Sequence, residues 1–471
     1  MQPSNRCWTL ALTSAALFMV ALDSLVVTTT LPAIRIDLGA SLAELEWTVN
    51  AYNLTLAVFL LLGAALGERF GRRRSFVAGL ALFTAASAAA AIASTPGALV
   101  AARAAQGLGA AVAMPLTLTL LSEAFPPGGR GAVLGIWGGV AGAAVGSGPL
   151  IGGALVEAVS WPWVFWINVP IGATVAALAA RRLVESFGRS RNFDLPGVAL
   201  ASAGLLAILW AVQQGEQAGW ASREIVAALT VGTGLVVAFL VWEARAPMPL
   251  VPLRLFRNTT LTTAIGAGFL MAAALFGAAF MVAQYLQFAR GYSPLVAGAA
   301  MLPWTATPIV VSPLAGRLAD RFGDRPFIAG GLVLQALGFA WLALAADAAA
   351  DYPKLVGPLL VAGVGISLVF PTVAKAVVDA VAPDEVGIAA GANSALRQLG
   401  AALGVAIVGV VFAHSGAFAS PREFTHGLAP ALAFAAGLSA AGAIAALAVR
   451  TRYGAPAGMR GEHTRRDCVT R

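Results

Sequence analysis

Fourteen stretches of this chain are apolar, almost free of charge and about twenty residues long, and that repetition leaves few folds open. A hydrocarbon layer roughly 30 Å thick is crossed by about twenty helical residues, because a helix satisfies its backbone hydrogen bonds internally where water is absent. The stretches run at about 9–31, 46–66, 76–94, 98–121, 132–155, 162–180, 196–213, 224–242, 260–286, 295–315, 326–346, 354–376, 389–412 and 427–449. With 59% hydrophobic and 11% charged residues over 471 positions, the chain lacks the charge to cover a water-soluble surface. The first stretch is too long for the apolar region of a cleaved signal peptide and is expected to remain as the first span. The fold class is an all-α polytopic membrane protein.

Charge fixes the expected topology. With the N-terminus in the cytoplasm, 23 Lys and Arg fall on the inner face and five on the outer (Arg35, Arg223, Arg290, Lys354 and Arg422), with Arg103 and Arg397 inside spans. The asymmetry predicts cytoplasmic termini at both ends and an even number of spans. The net charge of +8 therefore belongs to the membrane surface rather than to nucleic acid, and the basic tail is expected to rest on anionic lipid. Cys7 and Cys468 lie near the termini, far from any metal-ligand spacing. Arginine greatly outnumbers lysine, the usage of a GC-rich bacterial genome, and the expected location is a bacterial cytoplasmic membrane.

A charged turn repeats. Residues 64–73 (AALGERFGRR) lie over 316–325 (GRLADRFGDR) at an offset of 252, pairing Arg69 with Arg321, Gly71 with Gly323, Arg73 with Arg325 and Glu68 with Asp320. Gly131, Gly135 and Gly148 meet Gly387, Gly391 and Gly404 at an offset of 256. Duplicated halves account for both, with an insertion between them. The expected division is a six-helix half at 1–180, a two-helix insert with cytoplasmic loops at 181–258, a second six-helix half at 259–450 and a cytoplasmic basic tail at 451–471. The arginines of the turn, Arg69, Arg72 and Arg73 included, can serve as topology signals, but a fixed acid beside them is not required for that. Glu68 or Asp320 can accept charge-assisted hydrogen bonds or meet a helix N-terminus, latching the cytoplasmic side.

Polar residues inside the spans carry the rest. Asp23 is the one carboxylate well inside a span, where an acid costs on the order of 3 kcal/mol, so it is expected to face a cavity or a partner. It serves either proton coupling or a permanent ion pair holding the first span. Arg103, with Gln106 on the same face and Gly107 and Gly109 allowing close approach, is the candidate to sense or pass on that proton. Arg397 is a second candidate. The fifth span presents a smooth glycine face, and Pro149 beside Gly148, Gly152 and Gly153 bends it. Trp47, Asn50, Tyr52, Asn53, Tyr285, Gln287, Trp304, Asn393 and Arg397 are candidates to line a cavity, the aromatic ones alternatively anchoring at the interface. There is no Walker loop, HExxH or GxSxG, so neither an enzyme nor an ATP-driven pump is indicated.

These motifs resemble the major facilitator superfamily, and within it the fourteen-span branch of drug/proton antiporters. ALDSLVVTTTLPAI is similar to the first-helix signature, LGERFGRRR and GRLADRFGDR to the two loop signatures, RAAQGLGAA to the fourth-helix signature and GPLIGG to the fifth-helix antiporter motif. RNFDLPG, PMPLVPLRLFR and NSALRQLGAALG resemble further landmarks of the branch. Ala64, Glu68 and Ala144 depart from its usual Gly, Asp and Gly. The resemblance implies a monomeric exporter of a hydrophobic or cationic drug-like molecule, with the proton gradient as energy source and no cofactor. Export of a specific metabolite, siderophore or amino acid is the alternative, with a transporter-like receptor or a channel further off.

Overall fold

The computed structural model of the protein describes residues 3–126, 129–188, 194–347 and 351–449. Eighteen α-helices and no strand are present among the described residues. The first group is α1 (Pro3–Val26), α2 (Leu31–Leu38), α3 (Leu42–Phe70), α4 (Arg72–Ala91), α5 (Pro96–Ala124), α6 (Arg130–Ala158), α7 (Trp163–Trp166) and α8 (Asn168–Arg182). Next come α9 (Leu195–Ala218) and α10 (Arg223–Arg245). The last group is α11 (Thr259–Gln284), α12 (Pro294–Ala300), α13 (Leu302–Thr305), α14 (Thr307–Phe322), α15 (Arg325–Ala345), α16 (Tyr352–Asp379), α17 (Val386–Ser415) and α18 (Pro421–Ala446).

Thirteen helices are long and apolar enough to cross a membrane, and α12 with the α13–α14 segment makes a fourteenth span bent by 48°. Pro303, Pro308 and Pro313 crowd that segment, each removing a backbone donor, so the bend has a covalent cause. Helix ends follow local chemistry. Ser41 and Glu44 form a reciprocal capping box on α3, and Thr95 caps α5 ahead of Pro96. The turn between α3 and α4 requires φ +104° at Gly71, and its repeat requires φ +81° at Gly323, backbone that side-chain-bearing residues rarely adopt. A short helix absent from the sequence expectations, α2, is pinned where Trp161 donates to Asp37 at 2.8 Å.

Packing repeats across the two groups. In the first, α3 and α4 lie on α5 and α1 lies on α6; in the second, α15 lies on α16 and α18, and α11 on α17. The groups meet along two seams, α6 against α14 and α3 against α17. On the first seam, Gly131, Gly135, Gly139, Gly142 and Gly146 face Gly316, Ser312, Pro308 and Thr305 so closely that a methyl group on Gly131 would lie 2.1 Å from the Gly316 carbonyl oxygen. Helix α9 packs on α3 and α17, one from each group, and α10 packs on α9.

Candidate functional site

Asp23 lies six residues from the end of its span, fully buried within the first helix group. Its Oδ2 meets Arg103 Nη1 at 2.5 Å, and its Oδ1 accepts from Gln106 Nε2 and Asn168 Nδ2 at 2.8 Å each. Ser87 accepts from the same two amides at 3.2 Å and donates to the Phe165 carbonyl at 3.0 Å. Arg103 is held further by Gln106 Oε1 at 2.8 Å, by the Thr48 carbonyl at 3.1 Å and by the Tyr52 ring, 4.2 Å from its guanidinium carbon. Tyr52 in turn donates to the Val20 carbonyl at 3.0 Å. Helices α1, α3, α4, α5 and α8 thus converge on one buried ion pair. A charge in such a place is tolerated only when paired and hydrogen-bonded, and removing one partner of a buried pair costs about 3–5 kcal/mol. One donor is left over: Arg103 Nη2 is buried without a partner.

Close backbone approach makes the convergence possible. A methyl group on Gly107 would lie 2.1 Å from Thr55 Oγ1, and one on Gly109 2.5 Å from the Phe83 amide nitrogen. Gly148 and Gly152 of α6 admit Leu25, Val26 and Thr29, just beyond Asp23, while Gly153 faces Leu295. Pro149 is part of α6, but its side chain lies outside the described residues, as do the basic tail from residue 450 and residues 189–193.

At the other end of the helices, charged side chains tie the two groups together. Glu68 accepts from Arg72 Nε at 3.0 Å and Nη2 at 2.7 Å, and Arg72 also meets Glu123. Glu185 accepts from the Arg73 backbone at 2.9 Å and faces the Arg73 and Arg74 guanidinium groups. In the second copy, Asp320 accepts from the backbone N–H groups of Gly131 and Ala132 at 3.0 and 3.2 Å, sealing the N-terminus of α6, where the helix dipole favours an anion. Glu68 is placed equivalently against α17: a methyl group on Gly387 would lie 1.9 Å from its Oε1. Arg130 pairs with Asp379 across the seam at 2.9 Å. Lys375 meets Asp324 at 3.1 Å and Asp379 at 3.2 Å, with Asp320 at 3.9 Å. Asp324, in the turn outside the spans, is pushed up to about 6 by burial, partly offset by Lys375. Arg69 and Arg321 each lie over the following phenylalanine ring, and Arg325 is exposed at the start of α15.

Between the groups is a small cavity lined by Met114, Trp137, Met271, Phe370, Asn393 and Arg397 among others. Of the candidate lining residues, Asn393 and Arg397 therefore reach it. Tyr52 serves the Arg103 pocket instead. Trp47 packs against an apolar cluster around Leu54 and Leu209, and Asn50 and Asn53 are half-buried on α3. Tyr285 donates to the Asp347 carbonyl at 2.6 Å, exposed Gln287 donates to Ala283 at 3.3 Å, and Trp304 packs edge-on against Phe339 at 5.5 Å. Sequence reasoning missed Ser87, Glu123, Arg130, Asn168, Glu185, Asp324, Lys375 and Asp379. Asn168, a lone amide in the run FWINVP, carried the same kind of signal as Asp23 but no charge to draw notice.

The Major Facilitator Superfamily model matches residues 13–405 and 264–464. The chain belongs to the major facilitator superfamily. Among curated relatives of this facilitator, the tetracenomycin C resistance and export protein of Streptomyces glaucescens is 37% identical over 415 residues, covering 87% of this chain and 76% of the relative. The cephamycin export protein CmcT of Amycolatopsis lactamdurans is 38% identical over 421 residues, 88% of this chain and 86% of the relative. The structure of the proton:xylose symporter XylE superposes with a TM-score of 0.66 at 16% identity, covering 94% of this facilitator and 95% of XylE, a likeness of fold. The protein is thus a multi-pass membrane transporter.

Proposed function

We propose that this facilitator exports a drug-like small molecule in exchange for protons, by alternating access. The observation that carries coupling is the buried Asp23–Arg103 pair, closed by Gln106 and Asn168. A proton on Asp23 cancels the negative charge and leaves Arg103 buried with no counter-ion, a state several kcal/mol less favourable that α5 relieves by moving relative to α1. The family membership and the relatives named for export of tetracenomycin C and cephamycin support the direction and the class of cargo.

In this reading the moving bodies are residues 1–180 and 259–450, the insert at 181–258 rides between them, and the termini face the bacterial cytoplasm. The latch of Glu68, Arg72, Asp320 and Arg130 closes the cytoplasmic side in one state and releases in the other. Protons, substrate and bilayer are the partners of a monomer. A proton crossing about 100 mV releases roughly 2.3 kcal/mol, enough for about fifty-fold accumulation without ATP. Asp23→Asn keeps most of the hydrogen bonds but fixes position 23 in the uncharged form, as protonation would, with Arg103 left unpaired. In proteoliposomes under an imposed pH gradient it is expected to lose at least tenfold in accumulation while retaining substrate exchange. Undiminished uphill accumulation by this variant sinks the coupling role.

A further inference from the structure

The cavity between the halves is organised around a cation without a counter-ion. Arg397 makes no hydrogen bond or ion pair among the described residues. Its guanidinium carbon lies 5.5 Å from the Phe370 ring, and Phe370 stacks on Trp137 at 5.4 Å with an interplanar angle of 14°. Trp137 comes from α6 and Phe370 and Arg397 from α16 and α17, so the aromatic platform straddles the halves. Two polar atoms beside it are buried without partners, Trp137 Nε1 and Asn393 Oδ1, on side chains only 6% and 7% exposed. Met114, Met271 and Leu118 line it as well, with Val373, Ala374 and Ser394, and no carboxylate contributes. Buried polar atoms of this kind are normally satisfied, so a set left open around one cavity marks groups that a ligand completes.

We propose that Trp137, Phe370, Asn393 and Arg397 form the substrate subsite and that its ligand is a planar aromatic compound bearing an acidic oxygen, a carboxylate, phenolate or enolate. This assignment rests on the exporter reading and sets an acidic aromatic cargo in place of the cationic option in the hydrophobic or cationic class expected from sequence. The ring lies on the Trp137–Phe370 platform, the acidic oxygen takes charge-assisted hydrogen bonds from Arg397, and methionine thioethers adapt to its outline. An organic cation finds no anion here and meets a like charge instead. The cavity of about 20 Å³ holds little more than water, so the ligand is admitted as the halves part.

The test uses three size-matched probes, 2-naphthoate, neutral 2-naphthamide and 2-naphthylmethylammonium, measured by equilibrium binding to the purified full chain. Wild type is expected to bind naphthoate saturably and at least tenfold more tightly than the ammonium. Arg397→Gln should weaken naphthoate at least tenfold while changing the amide less than twofold, which also shows that the variant is folded. Arg397→Lys should keep the preference for the anion. Absence of saturable naphthoate binding, a preference for the ammonium, or an anion preference that survives Arg397→Gln overturns the assignment. Transport of the same probes is read separately in proteoliposomes. Naphthoate binding with the expected Arg397 dependence, but no movement of any probe and no protection of an expressing host in a toxicity screen, counts against export and for the subsite. Movement of the ammonium in preference to naphthoate does the reverse.

Discussion

Asp324 is the carboxylate whose titration bears most directly on the latch. It faces Lys375, which also meets Asp379 and, at 3.9 Å, Asp320, while Arg130 pairs with Asp379. Three acids thus share two bases, and burial raises Asp324 to about 6 where a solvated aspartate titrates near 3.9. The sign follows from linkage: the latched state holds this proton more tightly than an open state in which water reaches the turn, so falling pH favours the latched state as it passes through about 6. Spin labels on the exposed ends of α3 and α14, at Phe70 and Phe322 on a cysteine-free background, should show a growing short-distance population between pH 7.5 and 5. In Asp324→Asn that component of the pH response should disappear. An identical response in both proteins counts against the assignment. At this scale the sequence was informative where a charge stood in an apolar run, as at Asp23 and Arg103. It was silent where function was shared with neutral side chains, as at Asn168 and Ser87, or with acids in ordinary-looking loops, as at Glu185 and Asp324.

Among the elements, α6 does the most, because glycines on one face meet α14 while Gly148 and Gly152 on another meet α1. Contact there is between backbones, which cannot step aside as a side chain does. A methyl group on Gly316 would lie 1.8 Å from the Gly131 carbonyl oxygen and 3.1 Å from the Gly135 Cα. Gly316→Ala should therefore favour the unlatched state although alanine is the better helix former by about 1 kcal/mol. The expected readings are a longer Phe70–Phe322 spin-label distance and at least a tenfold fall in transport, with the melting temperature little changed; an unaltered distance distribution refutes the packing argument. The positions of all fourteen spans were legible from apolar length alone, since hydrocarbon thickness sets that length. The break in the tenth was not foreseen, although Pro303, Pro308 and Pro313 were in plain view, because apolar length ignores backbone donors. Helix α2 escaped for a related reason: eight residues outside a span leave no length signal.

For the whole molecule, the pairing of the charged turns at one offset has a structural counterpart in the two seams. Asp320 caps α6, and Glu68 sits against the start of α17 in the matching place. The second acid is also engaged by Arg72 and keeps one oxygen, Oε2, buried without a donor, so the longer side chain changes the detail of one latch and leaves the other intact. Orientation in the membrane can be measured with the natural thiol. Cys7 is exposed near the start of α1. After Cys468→Ser, a membrane-impermeant maleimide should label Cys7 in inside-out vesicles and not in intact cells; labelling of intact cells reverses the proposed topology.

The two seams differ in one respect that bears on how an oily compound gets in. Helix α9, from the segment between the two groups, lies on both helices of the α3–α17 seam, while the helices that lie on both α6 and α14, namely α13 and α16, belong to the second group itself. The inserted helix thus shutters one side, while α14 keeps Val310, Leu314 and Leu318 exposed on the other. If the proposed cargo enters from the bilayer, the expected route is on that side, and a photoreactive lipophile should mark α6 and α14 in preference to α3 and α17.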